Sequence, residues 1–458
     1  MRRLLWFALE LAVAILAAVW LAERPGAVTI AWQGWRVDTS VGVLAALVFL
    51  AAALAAILYR LWRFLKRAPG QARELSRTRR RAAGYKALTQ GMVAVAAGDA
   101  EEARRQASRA DALLGEPPLS LLLAAQAAQL GGDEDAARRY FEHMLAKPET
   151  EFLGLRGLLM QALRAGQRER ALALAERARG LRPDSASVLE ALFALHAQAG
   201  HWLEAQAALD RLNGRRLVKP TEARARHAAL LVERSRQAAA AGRAEEALAQ
   251  ARRAHALDPA LAPASAALAR GLIAAGKTRK AQKLLLAAWA LAPQPELATL
   301  YGETLPGDPA APAEGGFARA GALARARGLA KLAAANAGHV ESELVLAAAA
   351  LAAGLWGEAR RHLTPLADGG ETRAFRLMAR LEEGETGNAQ RARAWLDRAA
   401  VAGSAGEPGW RCGGCGAPAA AWQAVCGACG AFGTLGWGAP ASARLAAPTS
   451  RRAAPVPA

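Results

Sequence analysis

Cysteine is nearly missing from this chain of 458 residues: none occurs before position 412, and all four stand between Cys412 and Cys429. That distribution excludes a disulfide framework, whose thiols must be spread over the fold they staple. Acidic residues are scarce at the N-terminal end. Residues 1–86 hold 14 Lys and Arg against 4 Asp and Glu, a net of +10 out of the whole chain's +19. Such an excess at one end points to membrane topology more than to nucleic acid, and no nucleic-acid partner is expected. Catalytic signatures are lacking as well. There is no G-x-G-x-x-G, no H-E-x-x-H, no G-x-S-x-G and no C-x-x-C-H haem-attachment sequence, and no phosphate-binding loop is expected. The histidines (His143, His196, His201, His227, His255, His339 and His362) are scattered and read as surface or groove residues. The expectation is a protein that is not an enzyme.

Long apolar runs, by contrast, are present. Leu4 to Ala22 reads LLWFALELAVAILAAVWLA, interrupted only by Glu10, and Val41 to Leu58 is uncharged. At about 1.5 Å per residue each can cross a hydrocarbon core. Glu10 reads as shallow, near the headgroups beside Arg2 and Arg3; a functional carboxylate inside the span is the alternative. From Arg60 to Lys86 the chain carries ten Lys and Arg and one acid, Glu74. The positive-inside bias therefore places both ends in the cytoplasm and the loop 23–40 outside. Within that loop Val28, Ile30 and Trp32, then Trp35, Val37 and Thr39, alternate around Gln33-Gly34, a two-stranded hairpin signal. The expected anchor covers 1–66, with spans near 4–22 and 41–62, and a basic cytoplasmic linker follows at 67–86.

Beyond the anchor the sequence repeats. Gly followed five residues later by Ala occurs at Gly98/Ala103, Gly132/Ala137, Gly166/Ala171 and Gly200/Ala205, each 34 residues after the last. The pattern resumes at Gly242/Ala247 and Gly276/Ala281, then at Gly354/Ala359 and Gly387/Ala392. Small residues Ala110, Ala178, Ala254 and Ala288 keep the register, and Pro183, Pro259 and Pro293 follow, with Pro148 near the same place. A helix–turn–helix unit explains the pattern: Gly ends the first helix in a left-handed cap, Ala lets the second helix approach, and Pro prevents continuation. The 42-residue step from Gly200 to Gly242 implies an insertion near Asn213–Pro220. The 78-residue step from Gly276 to Gly354 contains a Pro/Gly linker at 305–316 that splits the array or forms a hinge. Repeats are thus expected over 87–304 and 317–402. Trp202, Trp289, Trp356 and Trp395 read as filling core gaps. Such a solenoid binds proteins or peptides in its groove.

The cysteines form two C-x2-C pairs, Cys412/Cys415 and Cys426/Cys429, each followed by glycine (Gly416, Gly430). Two thiolate knuckles ten residues apart supply a tetrahedral S4 site suited to Zn²⁺ or a single iron. Four thiolates complete the shell, so the expected zinc is structural. The module is expected over 408–438, its small core packed by Trp410, Trp422, Phe432 and Trp437, with a disordered tail at 439–458.

The repeat segments, GRAEEALAQARRAHALDP (242–259) for example, resemble tetratricopeptide repeats. The loop with Pro25, Gly26, Val28, Ile30, Trp32, Gly34, Val37, Thr39 and Ser40 between two apolar spans resembles the HemY-type proteins of proteobacteria. The cysteine segment looks like a zinc-ribbon or rubredoxin-like knuckle pair. Together they imply an all-α chain: a two-helix membrane hairpin, a tetratricopeptide α-solenoid and a small zinc module. The HemY resemblance implies a bacterial inner-membrane protein linked to haem (protoporphyrin) synthesis, a scaffold whose partners are haem-pathway enzymes. Repeats followed by a four-cysteine module also resemble the lipopolysaccharide-assembly regulators, which anchor through one span. A tetrapyrrole-binding carrier is a third possibility the residues leave open.

Overall fold

A computed structural model describes residues 26–306, 316–403 and 407–438, apart from Gln33 and Glu116, with a few positions before Gly26. The expected first span, 4–22, falls outside the described residues except at six helical positions (Ala12, Val13, Ile15, Leu16, Val19 and Trp20), and so Glu10 falls outside them too. Most of the linker 305–316 and the whole tail 439–458 likewise lie outside.

The loop forms the expected hairpin. Strand β1 (Ala27–Trp32) pairs antiparallel with β2 (Trp35–Ser40), and Val28↔Thr39, Ile30↔Val37 and Trp32↔Trp35 are partners. Gly34 takes φ +90°, which a side chain would resist, so the tight turn needs glycine there. Val41 N–H donates to Gly26 O at 3.0 Å, and the chain passes straight from β2 into a helix.

That helix is the first departure from expectation. It runs unbroken from Val41 to Ala97, 57 residues. Its segment Val41–Arg63 contains an 18-residue window of mean hydropathy 2.8, none of it buried in the protein, and is long and apolar enough to cross a membrane. The expected linker at 67–86 is helical throughout, so the apolar segment and the first helix of the first repeat are one element. Physically, the linker is rich in Arg and Ala, which favour helix, and the helix runs through Pro69-Gly70, a pair that more often marks a turn.

The described chain falls into two compact units, Met1–His143 and Met144–Ala458. Each is built of antiparallel helix hairpins. In the first unit, Val41–Ala97 packs on Ala100–Leu114, and both pack on Pro117–Leu130; Glu134–Met144 follows. In the second, the hairpins from Pro148 to Ala402 stack so that first helices pack on first helices, for example Pro220–Ala240 on Ala262–Ala274. This is an all-α tetratricopeptide solenoid.

All eight clock glycines lie in the left-handed region, with φ between +65° and +82°. The turn demands this, because each N–H bonds back to a carbonyl of the helix it closes. Their alanine partners are buried: Ala103, Ala137, Ala171, Ala205, Ala281 and Ala359 have no exposed surface, and Ala247 and Ala392 are 7% exposed. A methyl is what the helix–helix gap admits. The 78-residue step holds one more pair of packed helices, Pro295–Glu303 and Gly316–Ala334. Leu297, Leu300 and Tyr301 share a core with Leu329 and Leu332, so the array continues through the linker. The 42-residue step is likewise not a loop insertion. The first helix of that repeat, Pro220–Ala240, is 21 residues long where its predecessor Ala186–Gln198 has 13. The tryptophans are core: Trp289 is fully buried with Nε1 donating to Ser342 Oγ at 2.9 Å, and Trp202, Trp356 and Trp395 pack against buried clusters.

Candidate metal centre

After the last helix, Ala389–Ala402, the chain returns as a three-stranded antiparallel sheet with order β4-β3-β5: β3 (Gly409–Cys412), β4 (Pro418–Ala419) and β5 (Leu435–Gly438). The two knuckles are built alike. Cys412 N donates to Ala417 O at 3.0 Å and Gly416 N to Cys412 O at 2.8 Å. In the second, Cys426 N donates to Ala431 O at 2.9 Å and Gly430 N to Cys426 O at 2.8 Å. Gly416 and Gly430 sit at φ +75° and +71°, the conformation that turns each loop back over its own sulfurs.

The structure brings all four expected ligands together. Their Sγ atoms lie within 4.8 Å of one another, Cys412 and Cys426 buried, Cys415 and Cys429 exposed. Two separations are 3.7 Å (Cys412–Cys429) and 3.8 Å (Cys415–Cys426). A tetrahedral ion with metal–sulfur bonds of about 2.3 Å has sulfur–sulfur edges of about 3.8 Å, so the donor set fits such a cation. The protonation pattern agrees. The Thr434 hydroxyl, 3.1 Å from Cys412 Sγ, together with the Cys415 and Gly414 amides, draws the Cys412 thiol down to about 6. Amides of Cys429 and Ala428 lower Cys426. Cys429 feels the Ala431 amide, which lowers it, yet the crowding of Cys415, Cys412 and Cys426 with burial pushes it up to about 12. Without a cation the four sulfurs cannot all carry charge; a cation resolves the conflict. Among the described residues no histidine joins this cluster.

The module does not form a separate domain. Trp410, Cys412, Trp422, Cys426 and Leu435 share one core with Ala229, Leu231 and Val232 of helix Pro220–Ala240. Phe432 meets Phe193 edge-on, centroids 4.8 Å apart. Arg236 Nη1 donates to Trp422 O at 2.7 Å while its guanidinium stacks 5.1 Å from the Trp422 ring. Ala424 N donates to Glu233 Oε1 at 2.8 Å, and Gln198 Nε2 to Gly430 O at 3.1 Å. At the other end Arg376 pairs with Glu407, which leads into β3. Thr434, Gln198, Glu233 and Arg236 had not stood out in the sequence. Only the extra length of the 220–240 repeat hinted that this region is special.

One sequence match was also passed over. Residues 271–278, GLIAAGKT, fit G-x-x-x-x-G-K-[ST]. A phosphate cradle needs a strand leading into the loop and free amides. Here Gly271 lies inside helix Ala262–Ala274, and Gly276 N and Lys277 N bond to Ile273 O and Leu272 O. The match is a repeat turn.

The HemY protein N-terminus family profile matches residues 26–132, spanning the hairpin, the apolar helix segment and the first repeat helices. A "Probable magnetosome protein Mms48" of Magnetospirillum gryphiswaldense is 28% identical over 448 residues, covering 95% of this chain and 93% of its own. Among solved structures, a tetratricopeptide repeat protein from Parabacteroides merdae is 16% identical, covering 58% of this chain and 99% of its own, at a TM-score of 0.31. Naa15/Naa10 bound to HypK-THB is 16% identical, covering 76% and 62%, at 0.36.

Proposed function

We propose that this protein is an inner-membrane scaffold that gathers enzymes of tetrapyrrole synthesis at the cytoplasmic face, holding them on its helical repeats. The observation that carries the reading is the HemY N-terminus match over residues 26–132, which includes the hairpin and the membrane-length helix. The basic stretch from Arg60 to Lys86 supports an orientation with the repeats in the cytoplasm, and a first span at 4–22 would make the anchor two-pass. The four cysteines would hold a structural Zn²⁺, with a single iron as the alternative: cytoplasmic thiols stay reduced and the closed S4 shell leaves no position for water.

Affinity capture of the full-length protein from solubilised native membranes, with mass spectrometry, tests the scaffold. Recovery of haem-pathway enzymes, with altered porphyrin levels on deletion, is the expected result. Capture of a membrane protease with changed lipopolysaccharide and unchanged porphyrins would replace the reading with an envelope regulator. A second reading rests on the magnetosome relative, whose similarity runs through array and module alike: clients belonging to a specialised membrane compartment. Metal analysis of the purified protein separates zinc from iron, since an Fe–S4 centre is coloured.

A further inference from the structure

The cysteine module lies on the layer of first helices, the face a repeat array offers to partners. Its second knuckle supplies the contacts at one end. Trp422, Ala424, Gly430 and Phe432 are held by Arg236, Glu233, Gln198 and Phe193, on helices Ala186–Gln198 and Pro220–Ala240. Its opposite edge lies some repeats further along. Pro408, Trp437 and Gly438 wall a cavity with Gln294, His339 and Arg373, residues at the starts of three later first helices, and Glu407 pairs with Arg376. One small module therefore touches both ends of a row of six first helices.

We infer that the four-cysteine module is a metal-held strut, fixing the separation of the repeats at 186–240 from those at 340–386 and covering the first-helix face between them. The two ends of the strut are joined through the site itself. Cys412 belongs to β3, beside Glu407 and Pro408, whereas Cys426 and Cys429 belong to the docked knuckle. A short sheet, the small apolar core of Trp410, Trp422 and Leu435 and four metal–sulfur bonds join them, and a module of about 30 residues is too small to hold its fold without the metal. Loss of the metal would uncouple the ends, free the array to change curvature and expose Phe193, Glu233 and Arg236 to a partner. Because Cys415 and Cys429 face solvent, a chelator or oxidant can reach the site.

The inference rests on the cysteines holding a metal, which metal analysis of the same preparation reports separately. The test uses the full chain in detergent, with spin labels on unnatural amino acids at Arg211 and Arg393, both exposed. Pulsed dipolar spectroscopy reads their distance distribution with metal bound, after chelation, and in a Glu233→Ala/Phe432→Ala variant that keeps all four cysteines. The expected result is a narrow distribution that broadens at least twofold on chelation, and broadens likewise in the variant while it retains one equivalent of metal. An unchanged distribution after proven metal loss would overturn the strut, as would an unchanged distribution in the docking variant. Absence of metal from the native preparation would instead remove the metal reading, leaving the variant to decide whether the module braces the array.

Discussion

Gly276 and its neighbours show how single residues set the geometry of the array. Gly276 sits at φ +70° with open space where a Cβ would point, so any penalty for a side chain comes from the backbone alone. Gly276→Ala should lower stability by about 1–2 kcal/mol, the cost of a left-handed alanine, and Gly276→Asn should lose less because Asn tolerates that region. Denaturant midpoints of the two variants check the order; equal losses would contradict it. At the metal centre the equivalent residue is Thr434, whose hydroxyl lies 3.1 Å from Cys412 Sγ. Removing it in Thr434→Val leaves Cys412 Sγ only its amide donors and should weaken metal binding by about tenfold, within the range for outer-shell partners. Competition against a chromophoric chelator measures it, and Thr434→Ser should restore most of the affinity.

At the level of elements, the helix Val41–Ala97 makes the expected second span and linker one continuous element with the first repeat helix. From Arg63 to Gly84, the first residue after the apolar segment that is buried among the described ones, about 20 residues of helix span about 30 Å. Arg77 is exposed in this stretch, so Arg77→Ala should be silent, whereas Arg77→Pro should cost about 3 kcal/mol of local helix. Hydrogen exchange over 76–90 would separate the cases: a flexible linker would tolerate both. The contrast between this helix and the repeats explains what could be read from the chain alone. Each clock glycine is demanded by its own turn and each clock alanine by a neighbouring helix, so the requirement recurs at a fixed period and is legible. The cysteine pairs are legible for the same reason, being local. The docking of the module was not, because Arg236–Trp422, Glu233–Ala424 and Gln198–Gly430 join residues 186, 191 and 232 positions apart. A lone glutamate or arginine in a charged helix carries no sign that its partner is a distant backbone atom. The basic run at 67–86 was legible as charge and topology, and its helical state was not, because such a run says nothing for or against helix.

For the whole second unit, a metal ion held by the four cysteines would compete with protons for the same sulfurs, which would tie module integrity to pH. Cys412, held at about 6 by Thr434 and two amides, is already a thiolate at pH 7 and gives up no proton there when metal binds. Cys429, pushed up to about 12, must release one at any physiological pH. The sign follows: metal binding expels protons, so affinity falls as pH falls, by about tenfold per unit for each proton released. Below about 6 the Cys412 proton joins the exchange and the slope steepens. Chelator competition between pH 8 and 5 should therefore show a curve that bends downward near 6 in the native protein. In Thr434→Val, which loses the hydroxyl that lowers Cys412, the bend should move to higher pH. A slope that is flat across this range, or a bend that ignores the Thr434 substitution, would mean that these four thiols are not the groups that bind the metal. Because Trp422 and Cys426 share their core with Ala229 and Val232, metal loss at low pH should also register in the array as a lower unfolding temperature of the helices.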